Sequence, residues 1–288
     1  MYIHSGVSAT DISVAGSAQV YSDVSYVHVQ SGGIVNVYGS NITNSTVEYG
    51  GLLLLRPNGR LPDGDLQFTQ DVTDDSGYIV DARYTLTKTT TASGITVMSG
   101  GVEVIGGPDF GDDHGGSVSS SAIDNGTQIF SGGQQYVSSY GTAISAHIQG
   151  GALQTILDGG LALYSDVQGG GRLVVSSGGT ASGSVLSSGG TLSVENLGLV
   201  SGVRAGIGPS GSSTGTLSVL AGGTAIDVSL ATTSVSVAGQ LSLVSGNVVG
   251  GVSIGSSAYV LVNSGAVISG ETAVAATGIL TVAAGGRV

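Results

Sequence analysis

Residues 169–194 read GGGRLVVSSGGTASGSVLSSGGTLSV. Leu173 and Val175 alternate with polar or small neighbours after a glycine cluster, and Leu192 and Val194 repeat the pattern 19 residues later. Alternation of period two marks a strand that buries one side. Its return at a fixed longer interval marks a solenoid, in which each repeat stacks on the last. Followed outward, the interval runs through Leu153, Leu173, Leu192, Leu217, Leu241, Leu261 and Leu280, with spacings of 20, 19, 25, 24, 20 and 19. The expected fold is therefore all-β, a β-solenoid with coils of about 19–20 residues.

Composition narrows the class. A solenoid grows by adding coils, so the 288 residues read as a single domain, 1–288. Glycine stands at 52 positions without a three-residue period and proline at four, which excludes collagen, and 40% hydrophobic residues exclude a disordered linker. The formal charge is -12 with only seven Lys and Arg, so neither nucleic acid nor an anionic membrane is an expected partner. The chain has no cysteine, hence no disulfide or thiolate chemistry, which suits a protein that crosses membranes before folding. No apolar run reaches the roughly 18 residues of a spanning helix. MYIHSGVSAT has no basic or apolar region of a signal peptide, so export would require targeting parts outside this sequence. The last coil has no evident cap, and the natural protein is expected to continue past Val288.

In chain order, residues 1–55 read as coils. Ile12 and Val14, Val27 and Val29, and Val35 and Val37 are period-two pairs, and Gly32-Gly33 to Gly50-Gly51 is an 18-residue step. Tyrosines at 2, 21, 26, 38 and 49 are expected to pack laterally on stacked strands, with a ligand-facing aromatic row as the alternative. Residues 56–93 break the pattern with Pro57 and Pro62, and with Asp63, Asp65, Asp71, Asp74, Asp75 and Asp81 against Arg56, Arg60, Arg83 and Lys88. They read as a protruding insertion, a hairpin with strands near Leu66–Phe68 and Tyr78–Val80 turning at DDSG. A second interruption is GGPDFGDDHGG, residues 106–116. Gly-Thr-Ala then recurs at 141–143, 179–181 and 223–225, the last interval being lengthened by a Gly/Ser loop at 206–215.

The pattern G-G-x-L-x-V followed by S-S-G-G-T-A-x-G-x-V-x-x-x-G-G, best seen at 169–190 and more loosely at 132–151 and 216–228, resembles the passenger repeats of AIDA-type autotransporter adhesins, the group that includes antigen 43. The likeness covers 94–288 well, 1–55 weakly, and leaves out 56–93. It implies a right-handed, three-faced parallel β-helix at the bacterial cell surface, attached to the outer membrane or secreted. It further implies a passenger that binds copies of itself on neighbouring cells in aggregation and biofilm. On that reading the partner is homotypic, with host or matrix glycans as a further possibility, and this fragment makes no membrane contact. The candidate self-association residues are Asn36, Asn41, Thr43, Asn44 and Thr46, which crowd hydrogen-bonding side chains onto one or two coils, with Arg56, Arg60 and Arg83 pairing across to acids such as Asp74 and Asp75. An ordinary polar surface or turn accounts for the same residues equally well.

No catalytic signature is present: His4, His28, His114 and His147 lack metal-ligand spacing, and HExxH, P-loop and GxSxG patterns are missing. Asp109, Asp112, Asp113 and His114 form the most metal-like group, but they do not repeat and lack the β-roll calcium pattern, so a solvated acidic loop is expected. No enzyme activity, metal or cofactor is therefore expected. Two alternatives stay open. One is a polysaccharide-binding or polysaccharide-degrading β-helix with a site at Asp71, Asp74, Asp75 and Arg83, a reading weakened by the lack of Trp. The other is a passive surface stalk.

Overall fold

A computed structural model describes residues 1–3, 6, 8–38, 40–48, 50–56, 67–73, 79–86, 90–106, 117–118, 121–187, 189–205, 215–230, 234–243, 248–249 and 251–288. One coil shows the plan. The chain runs along a first face at Gln134–Val137, turns into a second face at Gly141–Ile144, bends at Ser145, makes a short third face at His147–Ile148, and returns to the first at Leu153–Ile156. Each strand then lies parallel on its equivalent one coil earlier, as in Gln134↔Leu153, Thr142↔Leu161 and His147↔Asp166. The result is a parallel β-helix. Its first face is a 13-stranded sheet. At one strand spacing of about 4.8 Å per coil, the stack is about 55–60 Å long.

The bend between second and third faces is a column of left-handed residues: Asp11, Tyr26, Asn44, Gly94, Gly126, Ser145, Tyr164, Gly183, Gly202 and Asp227, with φ from 50° to 78°. Side chains are tolerated there because the backbone ladder continues through the bend, with Ser145 N–H donating to Leu163 O and Tyr164 N–H to Ser182 O, each at 2.8 Å. The Ser-Gly-Gly corners obey a stricter rule. At the second glycine of such a pair, Gly190, a Cβ would stand 2.3 Å from the Val167 carbonyl oxygen of the coil below. Close stacking of carbonyls thus accounts for much of the glycine that punctuates the sequence.

Inside, residues stack in columns. Ala18, Val35, Leu53, Glu103, Gln135, Gln154, Leu173, Leu192, Leu217, Val235 and Val252 lie one above another on the first face. The three Gly-Thr-Ala motifs also fall into register, since Ala143, Ala162, Ala181, Val200 and Ala225 form one column of the second face. The leucine series of the sequence does not stay in one column. Leu153 and Leu261 point outward and are half-buried, while Leu241 stacks with Val260 and Leu280 on the second face. Alternation tells inward from outward but not which face a strand belongs to, so spacing alone merged them.

Coil strands claim both ends of the 56–93 segment. Arg56 closes Leu52–Arg56, opposite Tyr38, and Thr90–Ser93 pairs with Asn41–Thr43 and Ala122–Asn125. Between them Gln67–Thr73 runs antiparallel to Ile79–Leu86. That second strand pairs in parallel with Ser117–Val118, so the two irregular segments share a three-stranded sheet. Both excursions depart from the same corner, between first and second faces, in consecutive coils. The DDSG turn, most of 106–116 and all of 206–215 but Gly215 lie outside the described residues.

Candidate functional site

The expected polar cluster is divided by the shape of the coil. Asn36 points outward from the first face, between Gln19 and Leu54 in register. Asn41 and Thr43 share the second face, Asn44 is exposed at the left-handed bend with φ 50°, and Thr46 lies outward on the third face. Asn41, Thr43 and Asn44 therefore form a ridge that Thr46 flanks, and Asn36 is apart from them. Arg56 is half-buried at the end of its first-face strand. Arg83 is paired through its backbone with Gln70 in the side sheet, and Asp71 with Ala82. Arg60, Asp74 and Asp75 lie outside the described residues, as do Asp109, Asp112, Asp113 and His114.

The ridge extends along the rod because register carries it. Thr10, Ser25, Thr43, Ser93 and Asn125 follow one another in a single outward column over five coils. Beside them Asn41 is held at both ends: its Nδ2 and backbone N–H donate to Asp23 Oδ1, each at 2.9 Å, and its Oδ1 accepts from Thr91 Oγ1. Ser25 Oγ donates to Thr10 Oγ1 at 3.3 Å. These bonds fix rotamers in advance, which lowers the ordering cost of meeting a partner. From Asn125 onward the column changes character, continuing as Ile144 and Leu163.

The first face also departs from a uniformly small and polar exterior. Ile34, Leu52 and Val102 form one outward column, and Leu54, Val104 and Tyr136 another. Tyr21 and Tyr38 stack laterally on it, with ring centroids 5.1 Å apart and planes at 13°. On the third face His147 Nδ1 approaches Asp166 Oδ2 at 3.6 Å.

A second polar group, which the sequence reading missed, is inside the rod. Gln135 Nε2 donates to Glu103 Oε2 at 2.8 Å and to Asp124 Oδ2 at 3.1 Å. Thr127 Oγ1 donates to the same Asp124 oxygen at 2.6 Å, Gln154 Nε2 to Gln135 Oε1 at 2.6 Å, and Ser165 Oγ to Gln154 Oε1 at 2.7 Å. All six residues are fully buried. Burial, then the nearby Asp124 charge, pushes the Glu103 carboxyl well above its ordinary range, and burial raises Asp124 to about 7. Glu103 Oε1 and Asp124 Oδ1 have no hydrogen-bond partner. The available signal was register: V-E-V-I at 102–105 aligns with Q-Q-Y-V and L-Q-T-I, putting an acid and two amides at one inward position.

No family model matches the chain, and no curated protein matches it. Among solved structures it is similar to a TibC-catalysed, hyper-glycosylated TibA fragment, at 23% identity and a TM-score of 0.43, over 99% of this chain and 89% of that one. The likeness is loose, and the β-helix rests on the strand register described above.

Proposed function

We propose that this chain is the passenger of a bacterial cell-surface adhesin and that it associates with copies of itself on neighbouring cells. The observation that carries the reading is the outward column Thr10, Ser25, Thr43, Ser93 and Asn125, with Asn41 and Asn44 beside it. Individual polar contacts contribute only about 0.5–1.5 kcal/mol net. A column that repeats the contact at every coil makes adhesion strong in sum and reversible contact by contact. The resemblance of the 169–190 repeat to autotransporter passengers supports placing the rod at the cell surface.

The test is settling of cells that display residues 1–288, mixed with a differently labelled displaying strain and a bare one. Mixed clumps confined to displaying cells are expected, and they should be lost in Thr43→Arg with Ser93→Arg, whose side chains leave the core untouched. Recruitment of bare cells would show a heterologous receptor instead. Failure to settle despite confirmed display would favour a passive stalk.

A further inference from the structure

We propose that Glu103 and Asp124 form a proton-binding site in the core, and that losing its proton loosens the coil from which the second excursion departs. Two carboxyls are held by one amide nitrogen, Gln135 Nε2, inside a rod whose core is otherwise overwhelmingly aliphatic. Each keeps one oxygen without a partner. Leaving two charges there would oppose both burial and mutual repulsion, so the pair calls for a positive charge between them.

A proton fits better than a metal ion. A hard cation seeks six or more oxygen ligands, whereas two unpartnered oxygens are offered, and the groups that complete the site, Gln135 Nε2 and Thr127 Oγ1, present hydrogens. Among the described residues no group of three acids, histidines or cysteines is placed to hold a metal. A proton on one carboxyl turns an unpartnered acceptor into a donor and removes the repulsion in the same step. Its gain or loss makes or breaks one O–H bond and leaves every other bond of the chain as it was.

Among the described residues, the groups acting on the two carboxyls include no cation. Leu53 and Gln135 lie below and above Glu103, and Ala92 and Ala143 flank Asp124 in its column. The groups acting on Glu103 are Asp124, Gln135 and Thr127, and those acting on Asp124 are Thr127, Gln135 and the Asn125 backbone N–H. Position gives the site its consequence. Glu103 is in Val102–Ile105, the last coil strand before the second excursion, and Asp124 is in Ala122–Asn125, the first after it. When the pair loses a proton, strain falls on the two strands that root this excursion and, through Ser117–Val118, the side sheet.

Amide hydrogen exchange of the full chain at pH 5 and pH 8, corrected for the intrinsic change in rate, tests this. Residues 95–106 and 121–137 should lose at least tenfold in protection at the higher pH, while 172–194 should not change. The combined variant Glu103→Gln with Asp124→Asn should abolish the excess. Equal behaviour of the two regions in the native chain would overturn the proposal, as would an excess that survives in the variant. If that variant misfolds, Glu103→Leu, which continues the aliphatic column, supplies the same comparison at one carboxyl.

Discussion

Two consecutive stretches of the same inward column are built on opposite principles. Leu173, Leu192 and Leu217 are fully buried and hold their coils by contact alone, so each is replaceable in kind. Glu103, Gln135 and Gln154 hold theirs by a chain of hydrogen bonds in which every member orients the next. Backbone register is the same in both. The difference teaches that a β-helix coil imposes where a side chain points and leaves open how the inside is filled, provided that neighbours in the column agree.

Exchanging the two chemistries should break that agreement. Leu192→Glu places a carboxyl between Leu173 and Leu217 in an aliphatic column, and should cost ~4 kcal/mol or more in urea unfolding, or prevent folding. Gln135→Leu makes the opposite exchange. Although it adds an aliphatic side chain to an aliphatic column, it strips the shared donor from Glu103 and Asp124 and the acceptor from Gln154, and should cost about 3 kcal/mol. A neutral effect would mean that the polar chain contributes no more than the leucines do.

A third effect is a dependence on pH. Both carboxyls are raised in the folded state, so the folded form binds protons more tightly than the unfolded chain, whose acids titrate near 4. Their contribution is therefore fully present below about pH 4 and is lost as pH rises, for Asp124 through about 7. Because the pair titrates as a unit, stability should fall continuously between pH 4 and pH 8. Urea unfolding across that range should show the slope in the native chain and a flatter one in Glu103→Gln with Asp124→Asn, which leaves the background of the other acids unchanged.

How much of this was legible depended on whether a residue's neighbours in the next coil were legible too. Leu173 and Leu192 are separated by one clean period, so their stacking could be read directly. Glu103 was hidden because V-E-V-I invites the opposite reading, with the valines inward; a slip of one residue exchanges the two sides of a strand. Only alignment with 134–137 and 153–156 reverses it, and the 106–116 interruption broke the count that would have supplied that alignment. Asn36 and Asn41 illustrate the other limit. They are five residues apart in the chain yet occupy different faces, because a corner falls between them. Local density of polar residues therefore grouped Asn41, Thr43 and Asn44, which share one ridge, with Asn36, which lies on another face.

The strict pairing of Leu153 with Arg172, and of Arg172 with Thr191, has one more consequence. A cut that removed residues 153–171 would join Ala152 to Arg172, two positions already adjacent in kind, and every remaining strand would find an equivalent neighbour. The molecule would be shorter by about 4.8 Å, with Gln135 Oε1 left without the hydrogen bond from Gln154. Register thus leaves the number of coils, and with it the reach of the rod, free to change one coil at a time.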